Sequence, residues 1–122
     1  MKLHLSSLLI GVRSLQKAKL FYENVFGITF DEFRPPFARF TLDGVEFTVE
    51  EDSPQREEGW VEHAIGGRKS MNFQTDDLEV FLHAAKLQGA KIIASPRNTP
   101  WGWIEAVIAD PDGNEFLVEQ EG

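Results

Sequence analysis

The sequence predicts an α+β fold of two tandem modules, each running strand, helix, strand, strand, strand, with curved mixed sheets around a cleft. Three observations predict it. Asp43-Gly44-Val45-Glu46-Phe47-Thr48-Val49-Glu50 recurs 69 positions on as Asp112-Gly113-Asn114-Glu115-Phe116-Leu117-Val118-Glu119, with six of eight residues identical. A stretch of helical periodicity precedes each copy, opening at Ser14-Leu15 and Asp77-Leu78 and closing at Gly27 and Gly89. Side chains in both copies alternate in character, the period of a strand with one packed face. Two units are too few for a solenoid, so the copies are expected to face one another around a shared core or cleft.

Each element has a local reason. Residues 5–12 form a continuous, mostly apolar run of strand length. Ser14 is a suitable N-cap, and Leu15, Ala18, Phe21, Tyr22, Val25 and Phe26 fall at helical spacing before Gly27 stops the helix. Strands are expected over 28–33, 37–42 and 45–50, separated by Pro35-Pro36 and by the turn pair Asp43-Gly44. Residues 52–69 turn to charge, glycine and proline and read as a linker or flap, with Gly66-Gly67 supplying flexibility. The second module repeats the order: a strand over 70–75, then a helix from Asp76 with Glu79 completing a capping box and Gly89 as its stop. Strands over 91–95, 103–109 and 114–120 follow, the last entered through Pro111-Asp112-Gly113. The chain is therefore divided into module one (1–51), linker (52–69) and module two (70–122) of a single domain.

In the repeated strands Val45, Phe47 and Val49 share one face, and Glu46, Thr48 and Glu50 the other. Phe116 and Val118 likewise oppose Glu115, Leu117 and Glu119. The apolar face should pack beneath the helices, as in a sheet with one covered side, leaving the other for the cleft.

Composition narrows the chemistry. With 122 residues, 42% of them apolar, the chain can bury a core without staples. It has no cysteine, which excludes disulfides and thiolate chemistry and leaves a zinc site only His and carboxylate. Of the three histidines, His4 precedes the first strand, His63 sits in the linker and His83 lies in the second helix, positions that suit surface or packing roles. No apolar run approaches the roughly 18 residues of a membrane span, and no signal-peptide h-region opens the sequence, so a cytoplasmic location away from membranes is expected. A formal net charge of -8 disfavours nucleic acid and favours cationic or neutral ligands. No Ser/His/Asp set and no glycine-rich phosphate loop can be assembled.

The module order, Phe21-Tyr22-Glu23-Asn24-Val25-Phe26-Gly27 ending the first helix, and Asp110-Pro111-Asp112-Gly113-Asn114 before the last strand together resemble the vicinal oxygen chelate superfamily. Its members include glyoxalase I, extradiol dioxygenases and fosfomycin- and bleomycin-resistance proteins. The resemblance covers nearly the whole chain, and Trp101-Gly102-Trp103 is similar to the bleomycin-resistance branch. It implies a cleft, often built from modules of two chains in a homodimer, with a metal held by His or Glu from the first and last strand of each module. Carried onto this sequence, those positions are Ser7 and Thr48 in module one and Ser70 and Leu117 in module two. None is a usual metal ligand, so neither metal nor other cofactor is expected there. Glu46, Glu50, Glu115 and Glu119 share parity with these corners but stand two residues, roughly 6.6 Å, along the strand and would require a displaced metal.

The remaining recognition chemistry is aromatic. Trp60 and Trp101 lie in loop-like, glycine-flanked stretches where a large ring needs a partner, Trp103 opens a strand, and Phe33, Phe37 and Phe40 belong to the first sheet. The expected function is that of a metal-free small-molecule-binding protein of the glyoxalase/bleomycin-resistance type, sequestering an aromatic or cationic ligand as a homodimer. Its expected ligand-binding residues are Ser7, Phe40, Glu46, Thr48, Glu50, Trp60, Ser70, Trp101, Trp103, Glu115, Leu117 and Glu119. The alternatives are a metal-dependent glyoxalase-like lyase, isomerase or dioxygenase with a relocated metal site, and an interaction domain whose cleft is closed by its dimer partner.

Overall fold

The computed structural model describes residues 2–52 and 65–122. Its elements follow the order the repeat predicts, and they gather into two compact units, Met1–Ile65 and Gly66–Gly122. In the first unit, β1 (Leu8–Val12), α1 (Leu15–Val25), β2 (Glu32–Arg34), β3 (Phe37–Leu42) and β4 (Val45–Glu51) form a sheet of order β1-β4-β3-β2 with one helix. The hairpins β2–β3 and β3–β4 are antiparallel, whereas β1 joins β4 in parallel, so the sheet is mixed.

Local chemistry sets the boundaries. Ser14 Oγ accepts from the Lys17 backbone N–H at 3.3 Å, satisfying one of the orphan donors of α1. The turn between β3 and β4 places Asp43 at φ 50° and Gly44 at φ 77°, the paired left-handed conformation of a two-residue hairpin loop whose twist suits the strands. That turn fixes the register, with Leu42 opposite Val45 and Arg39 opposite Thr48. Leu15, Ala18, Phe21, Tyr22 and Val25 form the buried stripe of α1. The sheet buries Ile10, Val12, Ala38, Phe40, Phe47 and Val49, and Tyr22 stacks on Phe40, which in turn stacks on Phe47 at 4.8 Å between ring centres.

The second unit repeats this plan with β5 (Gly67–Gln74), α2 (Leu78–Leu87), β6 (Lys91–Asn98), β7 (Ile104–Ala109) and β8 (Asn114–Gln120), in sheet order β5-β8-β7-β6. Again the first strand of the unit is parallel to the last, and the other pairs are antiparallel. Leu78, Leu82 and Ala85 of α2 are buried, as are Ala106, Ile108, Phe116 and Val118 of the sheet. No helix among the described residues is long and apolar enough to cross a membrane.

Several expectations are corrected. The first strand begins at Leu8, and Leu5 is 81% exposed. Only Glu32–Arg34 of the 28–33 region and its neighbour is strand. The cap of α2 is Asp77, whose Oδ1 accepts from Val80 N–H at 3.1 Å; this leaves Glu79 in the first turn, near the positive end of the helix dipole, not in a capping box with Asp76. A second orphan donor, Leu78 N–H, is met by Gln120 Oε1 at 2.7 Å. Gly66 and Gly67 belong to ordered structure: Gly66 N–H donates to Asn114 Oδ1 at 2.8 Å and Gly67 N–H to the Gly113 carbonyl at 2.9 Å. Gly66 sits at φ 84°, in the left-handed region that favours glycine; a Cβ there would make an ordinary contact with the Asp112 carbonyl at 3.4 Å, so the backbone conformation and not the space calls for glycine. Module two therefore starts inside the expected linker of 52–69.

The register supports the repeat in detail. Leu9 lies beside Thr48 in unit one and Asn72 beside Leu117 in unit two, spacings of 63 and 69 between equivalent positions. Most of the extra length of the second unit enters between α2 and β7, in the longer β6 and in the turn that carries Trp101, and the rest enters in the longer turn between β7 and β8.

Candidate functional site

Each sheet has one face under its helix and one face turned away, and the two far faces differ in chemistry. In unit one, the register puts Arg39 directly opposite Thr48, and Glu46 and Glu50 share the parity of Thr48 on β4. Ser7, just before β1, brings its Oγ to 2.9 Å from Thr48 Oγ1, and Thr48 is only 8% exposed. Two of the expected site residues are thus joined by a hydrogen bond.

Around this pair lies a loose ionic patch. Arg39 Nε is 3.8 Å from Glu46 Oε1 and its Nη1 is 3.6 Å from Glu32 Oε2. Both distances exceed hydrogen-bond reach. Arg34 Nη2 stands 3.0 Å from Glu32 Oε1, yet among the described residues that buried oxygen makes no hydrogen bond, so the contact is electrostatic and poorly aligned. The Phe37 ring is near both guanidiniums, 5.2 Å from that of Arg39 and 5.7 Å from that of Arg34.

In unit two the corresponding corner is apolar. Leu117 faces Val107 across β7, with Ala94 opposite Val107 on β6 and Asn72 beside Leu117 on β5. Ser70 falls where β5 leaves its register between Arg68 and Asn72 and is exposed; Leu117 offers it no hydrogen-bonding partner of the kind Ser7 finds in Thr48. Charges flank the apolar corner in tight pairs. Arg68 Nε donates to Glu115 Oε1 at 3.2 Å, and Arg97 donates from Nε and Nη2 to Glu105 Oε1 at 3.0 and 2.7 Å. Glu119 stands opposite Glu105 in the register.

Trp101 is held outward, 63% exposed, by a reinforced turn. Thr99 N–H and Oγ1 both donate to the Trp103 carbonyl at 2.8 Å, Trp103 N–H donates back to Thr99 Oγ1 at 3.1 Å, and Gly102 N–H reaches the Thr99 carbonyl at 3.1 Å. Trp103 itself is half-buried. Trp60 and His63 lie outside the described residues.

Phe40 is the clear correction among the expected ligand contacts. It is fully buried between Tyr22, Phe30 and Phe47 on the helix side, because it stands an odd number of residues from Phe37 and a strand alternates faces. Arg39 is the residue the sequence reading missed. The two-residue turn at Asp43-Gly44 carried its address, since counting outward from that loop pairs position 39 with position 48.

The four family metal positions hold a bonded hydroxyl pair, an exposed serine and an isobutyl group, with no imidazole or carboxylate among them. Such a donor set does not fit a divalent metal at that place. Among the described residues, no three His, Cys, Asp or Glu side chains are grouped to hold one elsewhere.

Comparison with known proteins agrees with this architecture. No curated protein matches the sequence. Among solved structures, a glyoxalase/bleomycin resistance protein/dioxygenase family enzyme from Burkholderia phytofirmans PsJN is similar at 23% identity and a TM-score of 0.77, over 94% of this chain and 96% of that one. A member of the same superfamily from Sphaerobacter thermophilus DSM 20745 is similar at 25% identity and a TM-score of 0.74, over 98% of each chain. A lactoylglutathione lyase from Agrobacterium tumefaciens is similar at 18% identity and a TM-score of 0.75, over 96% of this chain and 92% of that one. Likeness to the Burkholderia and Agrobacterium proteins, at such identities, shows the fold alone. The family model described as Glyoxalase/Bleomycin resistance protein/Dioxygenase superfamily matches residues 4–118, nearly the whole sequence, and the chain belongs to that superfamily.

Proposed function

We propose that this member of the superfamily is a small-molecule-binding protein that sequesters an aromatic, positively charged ligand without a metal, as the bleomycin-resistance type does. The observation that carries this reading is the Ser7–Thr48 hydrogen bond, because two hydroxyls spend a proton on each other where a chelating enzyme would present imidazole or carboxylate. Leu117 at the equivalent place in unit two supports it. The outward Trp101 supplies a stacking surface, with Trp103 two residues on; Glu46, Glu50, Glu115 and Glu119 are the carboxylates proposed to meet positive charge, and Ser70 a polar contact. A homodimer, two copies supplying the modules of each site, completes the proposal.

Tryptophan fluorescence titration with bleomycin-like and other cationic aromatic compounds tests it. Saturable quenching that weakens in Trp101→Ala is the expected result. Emission unmoved by cationic compounds but quenched by small anionic metabolites would overturn it. Near one tightly held transition metal per chain, after purification without an affinity tag, would favour the lyase, isomerase or dioxygenase alternative.

A further inference from the structure

We propose that Arg39, together with the Ser7–Thr48 hydroxyl pair, is a carboxylate-binding subsite on the far face of the first sheet, so that the ligand carries a carboxylate as well as its aromatic ring. The proposal deepens the sequestration reading and rests on it for the ring, but not for the carboxylate.

The donor arithmetic is specific. Ser7 and Thr48 have two hydroxyl protons between them, and their mutual bond at 2.9 Å uses one, leaving one to donate outward. Arg39 has five N–H donors in a planar fork, and the carboxylates nearest to it, Glu32 and Glu46, stand at 3.6 and 3.8 Å, beyond hydrogen-bond reach. Among the described residues its guanidinium therefore has donors to spare. This differs from Arg97, which commits Nε and Nη2 to Glu105, and from Arg68, which donates Nε to Glu115.

Placement follows from the register. Arg39 and Thr48 are cross-strand partners, so their Cβ atoms lie about 5 Å apart on one face. The Phe37 ring, 5.2 Å from the guanidinium, and two carboxylates on its flanks hold the cation over this face without consuming its fork. Thr48 is 8% exposed, so the outward hydroxyl acts where water competes little. A fork and one hydroxyl make a three-donor cradle, the pattern that matches a planar carboxylate. The net charge of -8 opposes an anion at long range, where screening beyond about 8 Å weakens it at physiological salt; Glu32 and Glu46 oppose it at short range, so the ligand carboxylate must displace them from Arg39 and its contact hydrogen bonds must outweigh that repulsion.

The test is NMR titration of the full-length, nitrogen-15-labelled protein with three probes, benzoate, benzamide and benzylammonium. Benzoate is expected to move the Arg39 Nε–H and Thr48 amide signals and to bind more tightly than benzamide. R39Q should weaken benzoate about tenfold or more while leaving benzylammonium unchanged, and R39K, which keeps the charge but loses the fork, should fall between. T48V removes the hydroxyl from a strand position that accepts a β-branched residue, and it serves as a second variant should R39Q fail to fold. Equal affinity for benzoate and benzamide, no benzoate response, shifts lying away from β3 and β4, or equal losses for all three probes in R39Q would overturn the proposal. Benzoate binding without benzylammonium binding would leave this subsite standing and sink the cationic-ligand reading; the reverse result would do the opposite.

Discussion

The two units share a backbone plan yet fill their far faces differently. Unit one presents a hydroxyl pair beneath a loosely held arginine, whereas unit two presents Leu117 against Val107 with its arginines committed to Glu105 and Glu115. On the helix sides the two remain alike, with Phe47 and Phe116 buried at equivalent places. The repeat is therefore kept where packing demands it and released on the far faces, where the proposed ligand contacts lie.

The strongest way to test that division is to strike the shared core. Phe40→Ala removes a fully buried ring stacked between Tyr22 and Phe47, and Phe116→Ala removes a fully buried ring that meets Phe73 edge-on. Each should cost about 3 to 5 kcal/mol in chemical denaturation. Phe40→Leu should be milder and leave ligand affinity unchanged. A Phe40→Leu variant that keeps its stability but loses the ligand would restore Phe40 to the site.

A second comparison uses a place where the repeated segments differ. Asn114 is fully buried, accepts from Gly66 N–H at 2.8 Å and donates from Nδ2 to Asp110 Oδ2 at 2.8 Å. Asn114→Ala leaves those groups short of a partner, about 1 to 3 kcal/mol for each one orphaned. Val45, its counterpart, is 41% exposed, so Val45→Asn should change stability by no more than about 0.5 kcal/mol. Equal losses at the two positions in urea titrations would show that the units are more alike than their hydrogen bonds suggest.

The same pair explains how much the sequence disclosed. The eight-residue repeat revealed module order, both hairpin-like entries and the buried parity of Phe47 and Phe116, because turn residues and period-two alternation are local signals. The start of β1 was misplaced because an apolar run from Leu5 to Val12 does not say where pairing begins. Gly66 and Gly67 read as flexible because the bonds that order them come from Gly113 and Asn114, far along the chain. The family resemblance marks Ser7 and Thr48 as corners, but their mutual bond depends on β1 running parallel to β4, and the helix-side place of Phe40 follows from its opposite parity to Phe37 along β3.

A third prediction concerns the corners. Thr48→Val deletes one partner of the Ser7 bond in a nearly buried setting and should cost about 1 kcal/mol, while Leu117→Thr puts a hydroxyl opposite Val107 and should cost a similar amount through lost apolar burial. Differential scanning calorimetry of the two variants measures both. A stabilised Leu117→Thr would mean that the second corner is polar in solution and not the apolar site described.

The smallest effect on stability, and the most useful for function, is expected at Trp101. Its ring is 63% exposed and its place is held by Thr99 and Trp103 backbone bonds that do not involve the indole, so Trp101→Ala should leave the denaturation midpoint within about 0.5 kcal/mol of the parent. Ligand affinity should respond far more. Stacking on an indole contributes whether or not the ligand's charge is met, with each desolvated cation–ring contact adding roughly 0.5 to 2 kcal/mol. Glu119, by contrast, offers charge at a half-buried position beside Glu105. Trp101→Ala should therefore weaken a cationic aromatic ligand more than Glu119→Gln does, by calorimetric titration at physiological salt. If Glu119→Gln proves the more damaging, charge outranks stacking, and the ligand is recognised through the Glu119 carboxylate of unit two instead of its outward ring.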